Sequence, residues 1–537
     1  MIPTIGIDLG TTFCCVSYIG SNGQPVVIPD LEGMQTTPSV VYFTGTQASF
    51  GRKAAARRHD VANPVYQFFK RDMGVPPAEL GSKYKVGGYD YRAAGLQALL
   101  LRYLRVGAAT HFAKIGLLDA SQIATAELEA VITVPAYFRE GQRRDTRVAG
   151  LAAGLRVAGI INEPTAAALT FGANLEREQM ILVFDLGGGT FDVTIMRTGP
   201  GRAEVIASNG AFELGGRDWD ELIENYAKQA YQQRTGHRVP DELLWQVQDQ
   251  AVQAKIALSD APQTTMRLET GTEVLELPLS REARTGFSFG KSAAEPEFVF
   301  ESRSQDLLTK CRATLQQVLQ EAGEKLHAER AKETGDLSAA PQKISLTWHD
   351  IDEIVLAGGA SRMPMVAKML AHEAGRPLTL VRPGFSYDTA ISIGAALYAS
   401  KQAAVTDVVA HSIGIELLDD AGRPFVELLL KQNTPIPEAV FEDSFEADAN
   451  ATLKVYEGES DKVRDYARGP LGTLQLGNPA GPVQVRLAQD AGGLIQASVR
   501  YGGKTLQKTI EPFDSSLNLD ELTARIQAVR LELPEVR

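Results

Sequence analysis

The segment Ile5-Gly6-Ile7-Asp8-Leu9-Gly10-Thr11-Thr12 recurs in altered form as Val183-Phe184-Asp185-Leu186-Gly187-Gly188-Gly189-Thr190. Each copy is an apolar strand that ends in Asp, enters a tight Gly/Thr turn and leaves as a second apolar run, Cys14 to Ile19 in the first copy and through Met196 in the second. Such a repeat predicts two similar lobes with a cleft between them. Ala130 to Pro135 reads as a buried strand, followed by a helix through Arg143 to Ala153 and another strand at Val157 to Ile161. Strands that alternate with helices imply a mostly parallel sheet. Helical patterns follow at Trp219 to Leu258 and Ser304 to about Lys332. Arg330 to Lys343 reads as a charged, exposed insertion, and Ile354 to Ala357 as a strand that runs into Gly358-Gly359.

The repeated turn carries a definite chemistry. Backbone N–H and Thr hydroxyl groups in it can approach phosphate oxygens, and the Asp can hold Mg²⁺ through water. A lone turn of this kind is as a rule a solvent-facing hairpin. Two copies and a third Gly turn, Ala357-Gly358-Gly359-Ala360-Ser361-Arg362, point instead to one nucleotide cleft, because glycines let backbone come close and a helix N-terminus favours an anion. Gly286-Phe287-Ser288-Phe289-Gly290-Lys291-Ser292 imitates a P-loop but has three residues, not four, before Gly290-Lys291, and reads as a surface loop.

Composition excludes other classes. With 537 residues the chain is too long for one core. A net charge of −12 argues against a nucleic-acid partner, and no apolar run approaches the roughly 20 residues of a membrane span. The N-terminus has no basic region and meets Asp8 where a signal peptide would stay apolar, so a cytoplasmic location is expected and the sequon Asn450-Ala451-Thr452 carries no information. The three cysteines, Cys14, Cys15 and Cys311, fit no disulfide framework or metal spacing and read as core thiols.

Near Ala399 to Thr406 the helical pattern stops. Short alternating runs such as Thr452 to Tyr456 and Val483 to Leu487, broken by Asn/Asp/Gly turns, predict a separate all-β domain. The expected domains are an α/β ATPase at 1–400, a linker at 401–410, a β sandwich at 411–512 and a short helix at 513–537. That helix opens on an Asn518/Glu521 capping box and carries Leu519, Leu522, Ile526, Val529 and Leu533 on one face.

IGIDLGTT, VITVPAYF, IINEPTAAALTFG, VFDLGGGTFDV, the LGG at 214–216 and IVLAGGASRMP, in this order, resemble the signature set of the 70-kilodalton heat-shock (DnaK-type) chaperones. The resemblance covers most of the chain, more weakly in the β domain. It implies an actin-like two-lobed ATPase with duplicated ribonuclease-H-like lobes, ATP/ADP and Mg²⁺ as ligands, and a β domain that binds unfolded or extended polypeptide. It further implies Asp8 and Asp185 as water-mediated metal holders, with Gly10, Thr11, Thr12, Gly187, Gly188, Gly189 and Thr190 around the phosphates. Lys70 and Glu163 would act on the attacking water, and Asp192 would complete the second hairpin. Gly215, Gly216, Lys255, Ser259, Gly358, Gly359, Arg362 and Asp388 match nucleoside contacts, and Pro135 and Arg143 a relay toward the linker. The expected peptide cleft comprises Ile415, Leu418, Phe445, Leu453, Val455 and Val483, which read equally well as sandwich core.

Departures from the family pattern also set expectations. Val252 and Ile256 replace a Glu and a basic residue on the adenine side, which weakens adenine binding, and Arg217 replaces an acidic residue after Gly215-Gly216. Gly159 stands where an Arg often meets the J-domain helper, which puts the J-domain partner, and with it a nucleotide-exchange factor, in question. The linker Gln402 to Thr406 is less apolar than the family's leucine string, so weaker coupling is expected, and only a short helix stands where the family has a helical lid. The function that follows is an ATP-hydrolysing chaperone. The alternatives are a nucleotide-gated module for one dedicated partner and a sugar-type kinase of the same superfold.

Overall fold

In the computed structural model, which describes residues 2–60, 62–86, 88–172, 176–269, 274–283, 298–334, 345–378, 385–402, 404–436, 439–479, 481–490, 493–510 and 518–533, the first Asp-bearing segment is the strand Ile5–Leu9. It pairs antiparallel with Phe13–Ile19 and parallel with Leu128–Val134. Neighbours on both edges and both faces bury it: Ile5, Ile7 and Leu9 enter the core on one face, and Gly6 leaves room for a close-packed helix on the other. The sheet order is Leu155–Asn162, Leu128–Val134, Ile5–Leu9, Phe13–Ile19, Pro25–Ile28.

The second half repeats that order. Glu353–Ala357 runs parallel to Gln179–Leu186, which turns back antiparallel into Phe191–Gly199 and then Arg202–Ala211. The sequence repeat is therefore a repeat of topology, with Asp8 and Asp185 at corresponding strand ends. Between the sheets lie the helices Glu163–Gly172 and Ala390–Ala399, buried on all sides and built from small residues. The reason is space. A Cβ on Gly394 would fall 1.7 Å from the Ala166 carbonyl oxygen, and one on Gly6 would fall 2.3 Å from the Ala396 nitrogen.

Several elements differ from the expectations. The helix Ala93–Lys114 has no amphipathic signature because nearly all of it is buried in the first half's core. The helical stretch after Trp219 is two helices, Gly216–Thr235 and Asp241–Asp260, divided at Gly236, whose φ of +75° ends the first. The helix Gln305–Thr334 extends through the first residues of the expected insertion. Residues 335–343 of that insertion, the loop Gly286 to Ser292, Ala403, and the chain at 513–517 and 534–537 lie outside the described residues. Cys14, Cys15 and Cys311 are buried and free, and burial pushes each thiol up to about 12. No helix among the described residues is long and apolar enough to cross a membrane.

The linker is a strand. Ala404–Val408 pairs parallel with Arg202–Ala211 and antiparallel with Pro435–Ile436, so the second half's sheet continues into the β domain. Backbone hydrogen bonds make this junction, which is why the linker's few apolar side chains do not prevent it. The loop 431–434 completes it. Asn433 Oδ1 accepts from Ser208 N at 2.9 Å, and Asn433 Nδ2 donates to Glu321 at 2.9 Å.

Beyond the linker, two four-stranded antiparallel sheets enclose a core of Ile413, Ile415, Leu453, Val455, Val483, Val485, Leu487 and Val499. The C-terminal segment packs elsewhere. Asn518 caps the helix Leu519–Ala528 by accepting from Asp520 N and Glu521 N, but Leu522, Ile526 and Val529 enter the core of the first half. Arg530–Leu531 then adds in parallel to the strand Gln47–Phe50, and Arg102 donates to the carbonyls of Ile526 and Val529 at 2.7 and 2.8 Å. The helix ends at Ala528, so Val529 and Leu533 are not on the helical face predicted for them.

Candidate functional site

The two Gly/Thr turns face each other. A Cβ on Gly188 would fall 2.1 Å from the Thr12 hydroxyl, and one on Gly189 would fall 2.6 Å from a Thr11 methyl. Only glycine permits this approach. Gly10 is equally confined, with a virtual Cβ 2.1 Å from the Phe13 carbonyl oxygen. The third and fourth Gly turns join from the second half. Gly216 N donates to Gly187 O at 2.9 Å and Arg217 N to Gly188 O at 2.8 Å. A Cβ on Gly358, whose φ is +76°, would meet Asp185 Oδ1 at 2.6 Å. Gly359 opens the short turn Gly359–Arg362.

Beside these turns lies a buried ionic cluster. Lys70 Nζ donates to Glu163 Oε1 at 2.5 Å, with both side chains almost wholly buried. Glu163 starts its helix at the end of the strand Leu155–Asn162, and Lys70 sits in the turn Phe69–Asp72. Asp8, Asp185 and Asp192 share the surroundings of this pair, Asp185 and Asp192 being register partners in the second hairpin. Burial, with the Glu163 carboxylate adding to it and Lys70 opposing it, pushes the Asp8 carboxyl up to about 8. Burial and then Glu163 take Asp192 up to about 7, and the same causes together with Asp192 and Asp8 hold Asp185 well above the ordinary carboxylate range.

A cluster of four carboxylates around one ammonium group is short of positive charge. Asp185 Oδ2 and Asp192 Oδ2 are buried with no hydrogen-bond partner, as a site built for a cation would leave them. Among the described residues no three His, Cys, Asp or Glu side chains converge to ligate a metal directly. The surplus of carboxylates and the two unpartnered oxygens fit a hydrated divalent cation in this place.

The residues expected on the nucleoside side gather more loosely. Lys255 donates to Gly216 O at 3.0 Å and pairs with Asp220 at 2.7 Å, and Ser259 Oγ donates back to Lys255 O at 3.2 Å. Gly215 is held by Asp218 Oδ2, which accepts its N–H at 2.7 Å. Arg362 and Asp388 pair at 2.8 Å on a half-exposed rim, with Arg362 over the Tyr387 ring. Ile256 is exposed on the same helix as Lys255.

The residues expected to form a relay also touch. Phe138 N donates to Pro135 O at 3.2 Å, and Arg143 donates to Phe138 O, Ala136 O and Asn162 Oδ1 at 3.1, 3.1 and 2.6 Å. Asn162 Nδ2 in turn donates to Asp407 of the linker strand. Asn162, Asp407, Arg71 and Asp218, which contact the expected site residues, were not among those the sequence pointed to. Asn162 alone had a signal, being the neighbour of Glu163 in a recognised motif.

The six residues expected to line a peptide cleft divide. Ile415, Leu453, Val455 and Val483 are buried in the sandwich core, Phe445 is half-buried and packed on that core, and Leu418 is exposed.

Compared with known protein families, the chain matches the family described as Hsp70 protein over residues 4–333 and 331–528.

Proposed function

Since the chain belongs to the Hsp70 family, whose members are ATPases that bind unfolded polypeptide, we propose that it hydrolyses ATP at the junction of its two α/β halves and thereby regulates polypeptide binding by its β domain. The observation that carries this reading is the adjacency of Glu163 and Asn162. Glu163 meets Lys70 at the phosphate turns, and the next residue back, Asn162, meets Asp407 of the linker. A change in the charge at the first contact is one peptide bond from the second.

On this reading the facing turns at Thr11-Thr12 and Gly187 to Thr190 bind the phosphates through N–H and hydroxyl donors. Asp8 and Asp185 hold hydrated Mg²⁺, which when bound neutralises charge on the phosphates. Glu163 orients the water, and Lys70, desolvated and fixed by its ion pair, faces the charge that develops on the transferred phosphoryl group. Gly215, Gly216, Lys255, Ser259, Gly358, Gly359, Arg362 and Asp388 take the nucleoside, and Pro135 and Arg143 connect the site to Asn162.

A second reading, nucleotide-gated binding of one dedicated partner, is favoured by the burial of Ile415, Leu453, Val455 and Val483, which leaves only Leu418 and part of Phe445 to meet a ligand. Release of a fluorescent apolar peptide, measured with and without ATP, separates the two. ATP-accelerated release in the wild type, with Lys70→Ala failing to return to slow release, is the expected result. Release indifferent to ATP contradicts the first reading and leaves the second.

A further inference from the structure

Phe68 and Arg217 meet across the junction of the two halves, and each is out of the ordinary. Phe68 precedes the turn that carries Lys70 and has φ +61°, in the left-handed region that a non-glycine residue seldom occupies. Its ring lies under the Arg217 guanidinium, 5.4 Å from centroid to Cζ. Arg217 stands in the first turn of the helix Gly216–Thr235, where the resemblance predicts an acidic side chain. It is anchored from behind by Glu224, a nearly fully buried carboxylate, and by Glu221 at 3.5 Å.

A reciprocal contact runs the other way. Arg71, next to Lys70, donates through Nε to Gly189 O at 3.0 Å and through Nη2 to Asp218 Oδ2 at 2.6 Å. Lys70 thus lies between a ring pinned by the second half and a guanidinium that grips it. Two further side-chain contacts between the halves are longer. Arg58 reaches Asp249 only at 3.5 Å and Gln67 reaches Gln248 at 3.5 Å, with Asp249 part-exposed. An acidic residue at 217 would face Asp218, Asp220, Glu221 and Glu224 and could not cover the ring.

We propose that Arg217 is a positioning residue: through the Phe68 ring it holds the Lys70 turn against the phosphate turns and, with Arg71, latches the two halves so that nucleotide leaves slowly. The proposal deepens the nucleotide reading above and rests on it. The latch needs no bound ligand, so it also protects the turn in the free protein.

The test compares wild type with Arg217→Gln, Arg217→Lys and Phe68→Leu. Phe68→Leu leaves the Arg217–Glu224 pair intact, so it reports on the latch even if Arg217→Gln unsettles Glu224. The probes are dissociation of a fluorescent ADP analogue and amide exchange of residues 68–71 without nucleotide. Arg217→Gln and Phe68→Leu are each expected to speed release about threefold to tenfold, the range a cation–π contact supports. The double variant should release no faster than either single one, because both remove one contact. Exchange at 68–71 should rise in parallel, and Arg217→Lys should restore most of the slow release. Wild-type release and exchange in Phe68→Leu, or additive effects in the double variant, overturn the latch. A wild type that binds no nucleotide would overturn the nucleotide reading as well, and it is told apart because the analogue then fails to bind at all.

Discussion

The side-chain amide of Asn162 lies 2.9 and 2.8 Å from the two carboxylate oxygens of Asp407, which joins the end of a strand in the first half to the linker strand at the edge of the second. Burial raises the Asp407 carboxyl, with Arg143 and Asn162 opposing the shift. The contact is polar and part-buried: the Asn162 amide is buried, and Asp407 is its partner.

Asp407→Ala should loosen the linker without touching the phosphate turns. It removes two charge-assisted hydrogen bonds and strands a buried amide, a cost of about 1–3 kcal/mol. Protease cleavage within 401–410 should rise severalfold while phosphate release in single turnovers stays near the wild-type rate. Unchanged cleavage would show that the backbone pairing of Ala404–Val408 suffices alone.

Lys70→Ala should separate binding from chemistry. Loss of the Lys70 ammonium group beside four carboxylates removes charge stabilisation at the transferred phosphoryl group, and turnover should fall about 10²–10³-fold. Nucleotide affinity, measured by fluorescence titration, should change far less. A parallel loss of both would assign Lys70 to ground-state binding.

Ile526→Ala tests where the C-terminal segment belongs. Ile526 is fully buried in the core that also holds Leu96 and Leu99, so its truncation should cost about 2–5 kcal/mol and lower the melting temperature of the first α/β half. Peptide release from the β domain should not change directly. A variant that melts like wild type but releases peptide faster would mean that the helix acts on the β domain.

The interface of the α/β part with the β domain should depend on pH. Glu140 N donates to Glu457 Oε1 at 2.9 Å, and burial takes the Glu457 carboxyl up to about 7. Glu140 and Glu459 face it as further carboxylates, Asp490 flanks Glu140, and Arg139 and Arg143 oppose them. A raised folded value means that the folded state keeps a proton the unfolded state has lost. Glu457 therefore favours folding least above about 7, and its contribution declines as pH rises from the ordinary Glu range through about 7. His411, lowered to about 4 by burial, acts oppositely, gaining stability as pH rises from about 4 to its ordinary value. Chemical denaturation of wild type and Glu457→Gln between pH 5 and 8 should show a shallower decline in the variant. Identical slopes would remove Glu457 from the account.

The facing Gly/Thr turns were legible in the sequence because their pattern is local: an Asp at a strand end and glycines where a Cβ would collide, as at Gly188 and Gly189. The Lys70–Glu163 pair was legible only through resemblance, since 93 residues separate the partners. Arg71 and Asp218 were not legible, because their contact exists only once the two halves close on each other. The helix Ala93–Lys114 escaped because burial on every side erases the period that betrays a helix. The face of Leu522 and Ile526 was readable, but an apolar stripe does not name what it packs against. Alternation at Leu453 and Val455 likewise could not tell a cleft from a core.

Asp185 lies next to the last residue of the second Asp-bearing strand, keeps an unpartnered buried oxygen and sits beside the Lys70–Glu163 pair. The direct measurement is steady-state phosphate release from Mg²⁺ and ATP by wild type and Asp185→Ala. Measurable turnover in the wild type and its loss in the variant are expected. Equal turnover in the two proteins, or none in the wild type across a range of Mg²⁺, would contradict ATP hydrolysis at this site.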